Sequence, residues 1–169
     1  MERLRILLPI LIIFSLLFVT AGPSQAIMDQ KTMIVKAKIE KILKLIVDTN
    51  SITFPHNDPD ETAEIPALQN DVRIVVKART ENTNPVTLNL IADGDLVSGS
   101  DTIPVQNVIW QASGMGFLGG TLSKSSGQTA GSWRGSGIRE GTFRYYLRNS
   151  WNYSKGDYQV TITYTLTTP

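Results

Sequence analysis

His56 is the only histidine of the 169-residue chain, and there is no cysteine. A serine nucleophile would therefore have a single candidate base, and no serine lies in a motif that would present it for attack. His56 itself sits in Pro55-His56-Asn57-Asp58-Pro59-Asp60, a run of turn formers, and reads as a solvated loop side chain. A zinc site wants further nitrogen or sulfur ligands, and the sequence offers none. Two acidic groups, Asp58, Asp60 and Glu61, and Asp93, Asp95 and Asp101, could offer oxygen to calcium. Neither has the EF-hand spacing, and aspartate favours turns through local hydrogen bonds. Gly114, Gly116 and Gly119 spell G-x-G-x-x-G after a short expected strand at 108–111. That motif holds phosphate only where it opens a helix, and residues 120–127 do not read as one. Paired carboxylates of the glycosidase type are not singled out by any spacing. The expectation is a non-catalytic protein with no cofactor and no metal.

The aromatic residues admit two uses. Tyr145, Tyr158 and Tyr164 fall on apolar strand faces and suit a core. Trp133, Tyr146 and Trp151 do not, and are candidate surface contacts for a sugar or a protein.

The segments that would position such groups begin after a leader. Arg3 and Arg5 precede an almost wholly apolar run of 14 residues, 6–19, and Ser24-Gln25-Ala26 supplies a small-x-small cleavage pattern. Cleavage after Ala26 is favoured over Ala21, and the apolar run falls short of the roughly 20 residues that span a bilayer. A signal peptide at 1–26 is expected, hence an exported chain, delivered to the periplasm, the cell surface or the medium. The rest, 27–169, is long enough for one domain. It carries 14 basic and 14 acidic residues, which argues against a nucleic-acid partner and gives no support to membrane insertion. Near-zero net charge also tolerates self-association.

Period-2 alternation dominates the mature chain. Val72, Ile74, Val76 and Ala78 alternate with Arg73, Lys77 and Arg79, interrupted by Val75. Val86, Leu88 and Leu90 form a second such face, and Phe143, Tyr145 and Leu147 a third. The cleanest is Tyr158, Val160, Ile162, Tyr164 and Leu166, set against Gln159 and four threonines. Each pattern suits a half-buried antiparallel strand. Asn84-Pro85 suggests a hairpin between the Val72 and Val86 strands. Asp93-Gly94-Asp95 ends the Val86 strand, and Lys155-Gly156-Asp157 precedes the last strand. Residues 113–137, rich in Gly and Ser, suggest two short strands and long loops. Many short strands without a convincing helix point to a β-sandwich.

Residues 33–47 fit two periods. Val35, Ala37, Ile39, Leu43, Leu45 and Val47 share one strand face, with Lys41 breaking the series, while Val35, Ile39, Ile42 and Ile46 form a helical stripe. The β-branched content favours strand, and the helix alternative stays open.

Taken in order, the chain resembles the major subunits of class 5, colonisation-factor type chaperone–usher fimbriae. Residues 32–45, beginning Thr32-Met33-Ile34-Val35, are similar to that family's mature N-terminus, an alternating segment followed by a bend and the first strand. Val105-Gln106-Asn107-Val108-Ile109-Trp110 resembles a central strand ending in Trp, and Asn152-Tyr153-Ser154 through Leu166 the closing strand. The family often has proline at the bend, where this chain has Lys41. The resemblance implies an immunoglobulin-like antiparallel sandwich lacking one strand, completed by a neighbour's N-terminal segment. It implies a donor segment at 30–40 with Val35, Ala37 and Ile39 as the inserted side chains, a homopolymeric fimbrium, and a periplasmic chaperone and an outer-membrane usher as partners. The alternative is a self-complete, monomeric exported binding domain that uses Trp133, Tyr146 and Trp151.

Overall fold

The computed structural model describes residues 28–169, so the expected signal segment lies outside the described residues. The chain divides into two units, one ending at Ala37 and the other running from Lys38 to Pro169. Residues 28–37 have no regular secondary structure, and every one of them is exposed.

The second unit is all-β: an immunoglobulin-like antiparallel β-sandwich. Its strands are β1 (Ile42–Val47), β2 (Glu64–Pro66), β3 (Val72–Arg79), β4 (Pro85–Ala92), β5 (Leu96–Ser98) and β6 (Asp101–Ile103), followed by β7 (Val108–Ser113), β8 (Gly120–Thr121), β9 (Gln128–Arg134), β10 (Gly137–Arg148) and β11 (Ile162–Thr167). One sheet has the order β1-β3-β10-β7-β8, with β2 also paired to β10. The other is β11-β4-β9, and β5 and β6 form a small hairpin.

The alternation read from the sequence sorts the side chains between core and water. Val72, Ile74 and Val76 of β3 lie against Val86, Leu88 and Leu90 of β4 and Phe143, Tyr145 and Leu147 of β10 in one buried cluster. Trp110, Phe117 and Trp133 belong to the same cluster. Their rings make an edge-on chain, with Phe117 4.8 Å from Trp133 and 5.9 Å from Phe143, geometries that favour the aromatic quadrupoles. Among the described residues no polar or charged one is buried in the core.

Several expectations need correction. The strand in 33–47 covers only Ile42–Val47, and residues 33–41 are neither strand nor helix. β1 pairs with β3 from Ile42↔Arg79 to Val47↔Ile74, and residues before Ile42 have no strand beyond Arg79 to pair with. Asn84-Pro85 does not close a hairpin. Both sides of β3 are already taken, by β1 and β10, so the chain crosses to the second sheet and β4 pairs with β11 and β9. A turn in which Asn84 N–H donates to the Glu81 carbonyl at 3.1 Å makes that crossing. Residues 105–107 form a 3-10 turn, and Trp110 lies in the middle of β7 rather than at a strand end. Of the two strands expected in 113–137, β8 is short but β9 has seven residues.

The glycines of that region serve the tryptophan rings. A Cβ on Gly131 would lie 2.2 Å from the Trp133 ring, and one on Gly120 2.6 Å from the Trp110 ring. G-x-G-x-x-G is therefore not followed by a helix N-terminus; β8 follows it, and Gly116, at φ +80°, lies against Trp133.

Candidate functional site

A sandwich has two long sides where the edges of its sheets face one another, and here they differ. On one side the segment 114–122 laces the sheets together. Phe117 bridges Gly131, Leu118 N–H donates to the Ala130 carbonyl at 2.9 Å, and Ser132 N–H to the Gly116 carbonyl at 2.9 Å. The indole N–H groups add to it, Trp110 donating to the Leu118 carbonyl at 2.8 Å and Trp133 to the Met115 carbonyl at 2.7 Å.

The other side is bounded by β1 and β11. Among the described residues each is an edge strand: β1 pairs only with β3, and β11 only with β4. No ladder joins β1 to β11 among the described residues. The two edges run close together at one end, where Lys41 Nζ donates to the main-chain oxygen of Pro169 and the hydroxyls of Thr80 and Thr168 lie 3.3 Å apart. Between the edges lies an apolar seam. Leu43, Leu45 and Val47 of β1, and Ile162, Tyr164 and Leu166 of β11, pack on the core yet stay only half-buried. The equivalent residues of the inner strands, such as Ile74, Val76, Leu88 and Leu90, are fully covered. The seam continues past the strand with Val160 and Tyr158, also half-buried.

Unpaired edges leave main-chain N–H and C=O groups in water and present a template for another strand. A strand added between β1 and β11 would pair with one or both edges and cover the six half-buried side chains with its alternate residues. The chemistry of the seam is thus that of β-augmentation, with no titratable group among its apolar linings except Tyr164 and Tyr158. Burial raises the Tyr164 pKa, opposed by the hydrogen bond it shares with Tyr145. The hydroxyl stays neutral throughout the physiological range.

The residues singled out by sequence fall as follows. Val35, Ala37 and Ile39 are all exposed, and none lies in a strand; Val35 and Ala37 belong to the N-terminal unit, and Ile39 just precedes β1. Val35 is 85% and Ile39 72% exposed, a costly state for β-branched apolar residues in an alternating row. Trp133 is not a surface contact. It is buried in the aromatic core, because β9 turns it inward against Phe117. Tyr146 is half-buried on the outer face of β10, beside an open recess lined by Pro66, Asn70, Asp71 and Arg144. In that recess Arg144 grips Asp71 through two hydrogen bonds, 2.6 and 3.1 Å, which holds the Asp71 carboxyl below its ordinary range. Trp151 is exposed at one end of the sandwich, its N–H 3.0 Å from Asp60 Oδ1. Trp133, Tyr146 and Trp151 therefore do not converge on one surface.

The acidic groups act as turn residues. Asp58 Oδ1 accepts from Asp60 N–H and Asp93 Oδ1 from Thr161 N–H. Lys124 and the Val105 N–H both hydrogen-bond Asp95 and lower its pKa. His56 is exposed in its loop. No helix among the described residues is long and apolar enough to cross a membrane.

The seam was missed at the level of sequence because alternation reports which face of a strand is apolar, not whether its edge is paired. Comparison with known proteins adds no name to it: no family model and no curated protein matches the chain.

Proposed function

We propose that the chain is an exported structural subunit of a surface fibre, and that copies join when residues 30–40 of one enter the β1–β11 seam of the next. The observation that carries this reading is the pairing of two unmet needs within one chain. An apolar seam lies between two unpaired edges, and an exposed, strand-free segment carries Val35, Ala37 and Ile39 at alternate positions. The segment's 11 residues, extended at about 3.3 Å each, are long enough to run the length of a six-residue edge strand. Burying a Val or an Ile side chain contributes roughly 1.5–3 kcal/mol, and main-chain pairing to the edges adds direction. A periplasmic chaperone covering the seam before assembly, and an usher for export, fit the same role. The arrangement has no need of catalysis.

The test is complementation. A chain lacking residues 30–40 should remain monomeric and gain thermal stability when a peptide of residues 30–40 is added. A peptide with Val35, Ala37 and Ile39 changed to Asp should give no gain. A full mature chain that runs as a sharp monomer, and a truncated chain indifferent to the peptide, would instead support a self-complete monomeric binding domain.

A further inference from the structure

The near-neutral charge of the chain conceals a strong separation along the sandwich. β1 begins, β3 ends, β9 ends and β10 begins at one end, fixed by Ile42↔Arg79, Gly137↔Ala78 and Pro85↔Arg134. That end carries Lys41, Lys44, Lys77, Arg79, Arg134 and Arg139, with Glu40 and Glu81 the acidic residues beside them. None of the six cations is in an ion pair with an Asp or Glu side chain; of the four such pairs among the described residues, Lys38–Glu40 lies just before Lys41 and the other three lie elsewhere. Lys44 and Lys77 are directly opposite one another in register and both exposed, a like-charge pair that destabilises a sheet.

The opposite end is formed where β10 ends and β11 begins, and by the loop 48–63 tied to it through Asn149, whose Nδ2 donates to the carbonyls of Asn57 and Thr62 at 3.0 Å each. It carries Asp58, Asp60, Glu61, Glu64, Asp93 and Asp157, all exposed and none ion-paired, against Arg148 and Lys155. Both ends also expose apolar groups among their charges. Ile42 and Ile138 are 58% and 66% exposed at the basic end, and Trp151 is 68% exposed at the acidic end with its indole held by Asp60.

We infer that these two ends are the faces of a head-to-tail contact between copies of this chain, the basic end of one seated on the acidic end of the next. Opposite fields on opposite ends of one molecule attract copies in a single polarity, and they repel the two like-ended arrangements. A contact between different patches that does not close on itself grows an open filament. The facing carboxylates would relieve the Lys44–Lys77 repulsion, and Trp151 offers its ring face to a cation. This contact rests on the fibre reading but is separate from the seam: strand insertion supplies the lasting join, whereas the charged ends steer the approach and fix the axial orientation.

The experiment follows polymer growth of the mature chain by light scattering at 50 and 300 mM NaCl. Growth should slow about tenfold at the higher salt, as expected when charges steer association. Lys77→Glu with Arg79→Glu should slow growth about tenfold at low salt, and so should Asp60→Lys with Glu61→Lys. A chain carrying all four substitutions should regain most of the rate, which a folding defect would not allow. Lys44→Glu supplies a second measure, since it should raise thermal stability while slowing growth. Growth of the wild type with unaltered rates in all these variants overturns the end-to-end contact and leaves strand insertion standing. A wild type that never grows, and whose truncated form ignores the peptide, overturns the fibre reading and this contact with it.

Discussion

The hydroxyls of Tyr145 and Tyr164 are hydrogen-bonded to one another across the sandwich, the first carried by β10 in one sheet and the second by β11 in the other. Tyr145 is buried in the core, while Tyr164 is half-buried along the open seam. The bond ties the edge strand β11 to the opposite sheet at the floor of the seam.

The two partners are not equivalent, so their removal should not be either. Tyr164→Phe leaves the Tyr145 hydroxyl buried without its partner, which costs about 1–3 kcal/mol. Tyr145→Phe leaves the Tyr164 hydroxyl nearer to water and should cost about 1 kcal/mol. Urea denaturation of both variants checks the order, and equal losses would place the two hydroxyls in equivalent surroundings.

The same pair sets an alkaline limit. Burial raises the pKa of Tyr145, reinforced by the neighbouring Tyr164, and burial also raises that of Tyr164. A folded-state pKa above the unfolded one means that the stability is fully present below the unfolded value, about 10, and is lost as pH rises beyond it. Unfolding midpoints should be flat through neutral pH and fall above about pH 10. A variant with Phe at both positions should fall less steeply over that window.

Trp133 and Trp151 separate core from surface. Trp133→Ala should cost about 3–5 kcal/mol through the cavity it leaves, whereas Trp151→Ala should change monomer stability by less than about 0.5 kcal/mol. Thermal unfolding of the two variants measures the contrast.

Gly131→Ala tests the fit between ring and backbone. Its new Cβ would fall 2.2 Å from the Trp133 ring, and relief requires the ring or β9 to move, at a cost of about 1–3 kcal/mol. Near-UV circular dichroism should report the displaced indole alongside the loss in stability.

Lys44→Glu should act in the opposite sense. It converts the Lys44–Lys77 pair into an opposite-charge pair across β1 and β3, worth roughly 0.2–1 kcal/mol. The gain should shrink at high salt, where exposed charges are screened.

The strand faces were legible because burial on one side of a sheet imprints a period of two on the residues. Val72 through Ala78 and Ile162 through Leu166 carry that imprint, and the structure turns their apolar members inward; the last strand is shorter than its pattern, for Tyr158 and Val160 pack on the core without lying in β11. Residues 33–47 were ambiguous because their β-branched and helix-favouring residues satisfy both periods. Pairing with β3 decides the matter for Ile42–Val47, and the end of β3 limits it. Trp133 read as a surface group because Gly131 and Ser132 hide its alternation, and only the close approach of its ring to Gly116, Gly131 and Phe117 reveals a core residue.

The sequence by itself determined the all-β class, the inward faces and the balance of charge, since each depends on local order along the chain. Which strands are neighbours depends on contacts between residues far apart in sequence, and these only the tertiary structure decided. It sent β4 away from β3 into the second sheet and left β1 and β11 as unpaired edges flanking an apolar seam. It also gathered cations and carboxylates that are scattered along a neutral chain onto opposite ends of one sandwich.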